Sequence, residues 1–207
     1  MKTSREQHWE TVYRTKTKNQ VSWTQKTPQT SLDFINSFNV SKDASIIDIG
    51  GGDSNLVDFL LQEGYTNISV LDISATAVER AKKRLGEKAK RVNWIVSDIV
   101  NFTPNKMYDI WHDRAAFHFL TAKDEISKYI SLTEEFVKNH LIIGSFSTNG
   151  PLKCSGLEIT QYSEQKMTTN FEKSFEKVNC TEEVHQTPFN TTQNFIFCSF
   201  NKLEKSF

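Results

Sequence analysis

The sequence predicts an α/β fold, with helices packed around a mainly parallel sheet. Three observations predict it. Short β-branched runs alternate with helical patterns between residues 45 and 146. The first run stops at three consecutive glycines, Gly50, Gly51 and Gly52, and an amphipathic stretch follows. Two Phe-rich runs stand side by side at the end of the chain, as in an antiparallel hairpin that closes a sheet edge.

The elements follow in order. Residues 1–44 read as an N-terminal arm with cover helices. Trp9, Tyr13 and Trp23 stand there among polar neighbours and need a partner surface, which is either the core that pins a helix or a ligand that the arm covers. Residues 45–49 (SIIDI) are the first strand, and Leu56, Phe59, Leu60 and Leu61 fall on one face of the helix after the glycines. A second strand at 68–71 leads to Ser74, placed as the N-cap of ATAVERAKKRL, with Gly86 as its C-cap. Strands at 92–96 and 108–112, a helix at 124–137 and a strand at 141–146 continue the alternation. Beyond Phe146 lies an irregular loop of roughly 15 residues, long for a compact domain and a candidate lid. A short helix near 163–173 and strands near 175–184 and 194–200 end the chain.

A length of 207 residues fits one domain, with a core at 45–147 and a lid and hairpin at 148–207. Lys+Arg and Asp+Glu number 25 each, and a zero net charge argues against a polyanionic partner such as nucleic acid. Fifteen Phe and four Trp exclude a disordered chain, and no apolar run is long enough to span a bilayer. Residues 1–20 lack the apolar centre of a signal peptide, so a cytoplasmic protein is expected, as a monomer or homodimer. Cys154, Cys180 and Cys198 are spaced 26 and 18 residues apart, which matches neither a disulfide framework nor zinc ligands. No metal is expected. Cys180 and Cys198 are expected to face the core.

The glycine turn carries the first chemistry. Glycines after an apolar strand let backbone approach a ligand closely, and the next helix offers unpaired N–H groups. A nucleotide-like ligand is expected at that edge. A dinucleotide fingerprint counted from Gly50 finds Asn55 where its third glycine belongs, which disfavours a nicotinamide oxidoreductase. Asp72 ends the second strand 20 residues after Gly52, where a carboxylate accepts two ribose hydroxyls. Asp98, ending the third strand, is placed for an adenine edge beside Ile99. Asp48 holds the glycine turn or meets an ammonium group. Any one of these is commonly a strand-end or capping residue; three at successive strand ends are not.

IIDIGGGDSN at residues 46–55, VLDIS at 70–74, SDI at 97–99 and YDIWHD at 108–113 resemble, in order and spacing, the motifs of the class I S-adenosylmethionine-dependent methyltransferases. The resemblance implies a three-layer Rossmann-like sandwich with a seven-stranded, mainly parallel sheet whose last strand is antiparallel. It implies S-adenosyl-L-methionine as cofactor. Gly50 and Gly52 would then line its methionine part with Asp48, Gly51, Ser54 and Asn55, Asp72 with Ile73 its ribose, and Asp98 with Ile99 its adenine. Ser54 departs from the family pattern, which often has a third glycine there, and still offers an N–H and a hydroxyl. HWETVY, VSWTQ and WHDRAAFHFL resemble a bacterial subgroup without a defined substrate. HWETVY is also distantly similar to the Trp-acidic-x-x-Tyr of eukaryotic seven-strand lysine methyltransferases.

Methyl transfer from a sulfonium needs alignment and exclusion of water. The family places the acceptor after the fourth strand, at Trp111, His112, Asp113 and Arg114. His112 or Asp113 is a candidate base and Arg114 a bidentate partner for a substrate carboxylate. In the plainer alternative, Asp113 pairs with Arg114 and His112 simply packs. Trp9, Tyr13, Trp23 and Trp111 are candidates to close over the methyl group, and Cys154 and Tyr162 to touch substrate from the long loop. His118 is expected in the core, His185 at a turn or near the pocket, and the basic run at 80–91 on a solvated helix face. The acceptor is a small molecule or a protein side chain. A module that binds the cofactor without turnover is the competing reading.

Overall fold

The computed structural model describes residues 4–204. In chain order it runs α1 (Ser4–Thr15), α2 (Gln29–Ser37), β1 (Ser45–Ile49), α3 (Leu56–Gln62), β2 (Asn67–Asp72), α4 (Ala75–Leu85), β3 (Val92–Val96), β4 (Tyr108–Arg114), α5 (Lys123–Phe136) and β5 (Val137–Phe146). Then come β6 (Lys153–Cys154), β7 (Leu157–Glu158), α6 (Glu164–Phe171), β8 (Phe175–Gln186) and β9 (Thr192–Lys202). Seven strands pair in the order β3-β2-β1-β4-β5-β9-β8. β3, β2, β1, β4 and β5 pair in parallel, and β9 runs antiparallel to both β5 and β8. The sheet is thus seven-stranded, with its last strand reversed.

Alternation along the strands builds the three layers. Ile47, Trp111 and Ile143 pack with Tyr129 of α5 and Met167 and Phe171 of α6. Their neighbours Ile46, Ile110 and Ile142 face the other way, onto Leu32 and Ile35 of α2 and Leu56 and Leu60 of α3. Strand order reverses between β1 and β4, and in open α/β sheets ligands lie in the crevice at that reversal, beyond the carboxyl ends of the strands.

Local chemistry sets the element ends. Ser74 Oγ accepts from Ala77 N at 3.2 Å, and Gly86 closes α4 with φ 57°. β5 begins earlier than expected, because the polar Lys138, Asn139 and His140 at its start conceal a strand. The long loop contains the β6–β7 hairpin, whose turn residues Ser155 and Gly156 both take positive φ, at 53° and 82°. No described helix is long and apolar enough to cross a membrane.

One expectation is corrected. Cys180 and Cys198 are directly opposite in the β8–β9 register, with Cα atoms 4.1 Å apart, and form a disulfide. Spacing along the chain did not reveal the pair because hairpin register, not sequence distance, brings the two together. Cys154 is the free cysteine among the described residues.

Candidate active site

The carboxyl ends of β1, β2, β3 and β4 open into a cleft roofed by α1 and the segment that follows it. The cleft has two chambers of about 780 and 700 Å³, which share Tyr13, Trp23, Ile49, Gly50 and Arg114 as walls. Asp72, Ile73, Asp98 and Ile99 line the first. Asp48, Gly51, Ser54 and Asn55 line the second.

Buried carboxylates dictate the glycine turn. A Cβ on Gly51 would sit 2.1 Å from Asp48 Oδ2, and one on Gly52 would sit 2.6 Å from Asp72 Oδ2 and 2.7 Å from Ala77 Cβ. Gly52 N donates to Asp72 Oδ2 at 3.0 Å, and Ser74 N to Asp72 Oδ1 at 2.8 Å. Gly52 therefore packs beneath the cleft, whereas Gly50 and Gly51 form its wall. Burial pushes the Asp72 carboxyl up to about 6; the two backbone bonds pull it down, and Asp48 and Glu10 raise it.

The flanking groups are braced both locally and from far along the sequence. Asp98 Oδ1 accepts from Val100 N at 3.2 Å, and Arg5 Nη1 reaches both Asp98 oxygens at 3.4 Å. The Ser54 hydroxyl accepts from Leu56 N at 3.1 Å, within the loop itself. Asn55 binds the roof, donating to Gln25 O and Lys26 O and accepting from Lys18 Nζ at 2.7 Å. Asp53 gathers Lys18, Arg80 and Arg84 within 3.5 Å. The basic run is thus not wholly a solvated face, because Arg80 lies on the rim of the second chamber.

HWETVY divides its work. Trp9 and Tyr13 face the cleft and meet Trp23 at ring distances of 5.8 and 6.3 Å, with Phe119 5.0 Å from Trp9. Glu10 between them accepts from Ala75 N at 2.6 Å and Thr76 N at 3.3 Å, capping α4 from another helix. Glu10→Ala should therefore cost about 1–2 kcal/mol, read as a lower urea midpoint with an unchanged slope; an unaltered midpoint would contradict the docking role.

The strand period splits the β4 residues. His112 Nδ1 lies 2.7 Å from Asp48 Oδ1 and Nε2 2.9 Å from Ser31 Oγ. A carboxylate only accepts, so Nδ1 carries a proton toward Asp48, and the Ser31 hydroxyl engages Nε2. Both ring nitrogens are occupied. Asp113 is fully buried and faces α5, not the cleft; its Oδ1 accepts from Ala116 N (2.9 Å) and Phe117 N (3.1 Å), and its Oδ2 from Tyr129 OH (2.7 Å). Neither residue, expected as a base, presents a free atom to an acceptor, and Asp113 does not pair with Arg114. Trp111 is also in the core, donating to Tyr129 OH at 3.0 Å. Tyr162 is buried against Phe117, 5.1 Å between rings, and lines neither chamber.

Arg114 and Cys154 do reach the cleft. Burial pushes the Cys154 thiol up to about 12, so it is neutral at physiological pH. His118 packs in the core as expected, with burial and Arg114 pushing its imidazole down to about 3. His185 Nε2 lies 2.7 Å from Ser22 O and ties the roof to β8.

Residues 46–139, from β1 into β5, match the family model described as a methyltransferase domain. This segment, a little under half of the chain, is similar to methyltransferase domains. Among curated relatives, malonyl-[acyl-carrier protein] O-methyltransferase 1 of Ilyobacter polytropus is 34% identical over 80 residues, which is 38% of this chain and 30% of that one. EEF1A lysine methyltransferase 2 of Danio rerio is 25% identical over 142 residues, 68% of this chain and 58% of the relative. The chain thus spans between 30% and 58% of the length of these relatives. Among solved structures, a SAM-dependent methyltransferase from Anabaena variabilis superposes with TM-score 0.74 at 14% identity, covering 96% of this chain and 93% of that one. Another, from work on the conversion of a disulfide bond into a thioacetal group during echinomycin biosynthesis, gives TM-score 0.77 at 15% identity over 97% and 94%.

S-adenosylmethionine, the cofactor that the sequence resemblance implies, fits the polar groups that the cleft leaves open. Asp48 Oδ2 is buried without a hydrogen-bond partner on the wall of the second chamber, where an ammonium group would satisfy it. Asp72 lines the first chamber with acceptor capacity left for hydroxyls. Arg5, Glu10, Ser31, Asp53, Phe119 and Tyr129 escaped the sequence reading, because their role exists only through partners on other elements.

Proposed function

We propose that this chain binds S-adenosylmethionine across both chambers and moves its methyl group in line onto a small-molecule acceptor under the aromatic roof. The observation that carries the reading is the polar pattern of one cleft. An orphaned carboxylate oxygen on Asp48, the strand-end Asp72 and the Asp98–Ile99 edge follow one another as the ammonium, ribose and adenine of this cofactor would require. When bound, its sulfonium supplies an electrophilic methyl group.

The chain's own part is alignment and exclusion of water. Gly50 and Gly51 admit the methionine part closely, with Ser54 beside them, and Ile73 and Ile99 cover apolar faces. Trp9, Tyr13 and Trp23 close the roof. His112 and Asp113 act as positioning residues: His112 fixes the Asp48 carboxylate, and Asp113 fixes the loop at Ala116 and Phe117. Of the acceptor kinds that the relatives' names print, an acyl group and a protein lysine, the enclosed cleft with a cation in its wall favours a small molecule. A cytoplasmic monomer or homodimer without a nucleic-acid partner fits the neutral charge.

Calorimetric titration tests the reading. Saturable binding of S-adenosylhomocysteine and none of NADH are expected; the opposite pair of results would replace the methyltransferase assignment with an oxidoreductase one.

A further inference from the structure

Arg114 leaves a specific pair of donors open. Its Nη1 donates to Trp23 O at 3.0 Å, while Nε and Nη2 are buried and have no hydrogen-bond partner. Those two nitrogens form the side edge of the guanidinium, whose parallel N–H bonds match the two oxygens of a carboxylate. The guanidinium carbon rests 4.9 Å from the centre of the Phe195 ring, so the group is held in place while its edge stays open. Burial lowers its pKa to about 10, which leaves it charged at neutral pH.

The charges that face it do not complete it. Glu183 and Asp48 act on it at a distance without bonding it: Glu183 Oε1 takes a bond from Gln25 at 3.0 Å and Asp48 Oδ1 is tied to His112, and the second oxygen of each has no hydrogen-bond partner. The rest of that chamber's wall is largely apolar: Trp9, Trp23, Phe119, Phe146 and Phe195. Of the candidate bases, His112 is bonded at both nitrogens, Asp113 lies outside the cleft and the Cys154 thiol stays protonated, while the open Asp48 Oδ2 is the oxygen matched above to the cofactor's ammonium group and Glu183 lines neither chamber. An amine or phenol acceptor would have to lose a proton that none of His112, Asp113 and Cys154 is placed to take, and an ammonium would meet the Arg114 charge.

Resting on the transfer reading above, we propose that the acceptor is a carboxylic acid with an apolar body, held through its carboxylate by the Nε–Nη2 edge of Arg114 and methylated on a carboxylate oxygen. The carboxylate oxygen forms the new O–CH3 bond as the S–CH3 bond breaks. The electron pair of that bond stays on sulfur and no proton moves. The products are a methyl ester and neutral S-adenosylhomocysteine.

The experiment incubates the full chain with a small-molecule cell extract and S-adenosylmethionine tritiated in its methyl group, then treats the products briefly with alkali. Methyl esters release the label as volatile methanol, whereas N- and S-methyl groups keep it. Base-volatile label is expected from the native protein. Arg114→Gln should lower its initial rate at limiting extract by roughly 30-fold or more, and Arg114→Lys should restore only part of it, since a point charge lacks the fork. Affinity for S-adenosylhomocysteine should stay within about threefold in both variants. Alkali-stable label, or an undiminished rate in Arg114→Gln, overturns the proposal and leaves the transfer reading standing. Loss of S-adenosylhomocysteine binding in Arg114→Gln also overturns it, assigning the fork to the cofactor's own carboxylate. A native protein that binds no S-adenosylhomocysteine fails the underlying reading itself.

Discussion

Asp113→Ala is expected to destabilise the protein by about 3–5 kcal/mol. The substitution leaves Ala116 N, Phe117 N and Tyr129 OH buried without their acceptor, and each orphaned donor costs about 1–3 kcal/mol. Release of the ion's own desolvation offsets part of the sum. The loop that Asp113 pins contains Ala115 at φ 68°, a conformation a non-glycine residue holds only under constraint, and Ala116, whose Cβ would lie 3.0 Å from a Cβ on Gly50. Loss of the carboxylate therefore loosens the cleft wall along with the core. Urea denaturation followed by fluorescence measures the effect. A loss below about 1 kcal/mol with abolished transfer would instead mark Asp113 as a base.

The same residue gives a pH signature. Burial pushes its carboxyl up to about 6 in the fold, from an ordinary value of 3.8. The folded state thus holds the proton where the unfolded chain has released it. This contribution is greatest below the unfolded value and is lost as pH rises through the folded one. Asp113→Asn should flatten that part of the stability profile.

Asp72→Asn is expected to weaken S-adenosylhomocysteine binding by roughly 30- to 150-fold, the equivalent of about 2–3 kcal/mol for charged hydrogen bonds to two hydroxyls. The amide keeps the volume, so Gly52 and Ala77 stay in place. It loses an acceptor, however, because Gly52 N and Ser74 N already use both carboxylate oxygens, and one of the two positions becomes an NH2. A melting temperature held close to native would separate this ligand effect from misfolding.

The residues that sequence made legible carry their signal locally. The apolar run of β1, the three glycines, Ser74 and Gly86 at the ends of α4, and Asp72 and Asp98 at strand ends each depend on near neighbours. His112, Asp113 and Trp111 were harder to place because side chains alternate across β4. Ile110 and His112 face α2, while Trp111 and Asp113 face α5. Reading that period through WHDR would have put Arg114 with His112 and removed Trp111 and Asp113 from the cleft. The partners that silence His112 and brace Asp98 lie 81 and 93 residues away in sequence, at Ser31 and Arg5, beyond any local pattern. The Cys180–Cys198 pair is of the same kind, set by hairpin register.

The central claim is that Asp72, ionised, holds the ribose of the cofactor. The most direct measurement is the affinity for S-adenosylhomocysteine from pH 5 to 8 in the native protein and in Asp72→Asn. With the Asp72 carboxyl at about 6 before binding, native affinity should rise about tenfold per pH unit below that value and level off above it. The Asn variant should bind weakly at every pH, with no such rise. Native binding that is flat across this range, or an Asn variant as tight as native, would contradict the account.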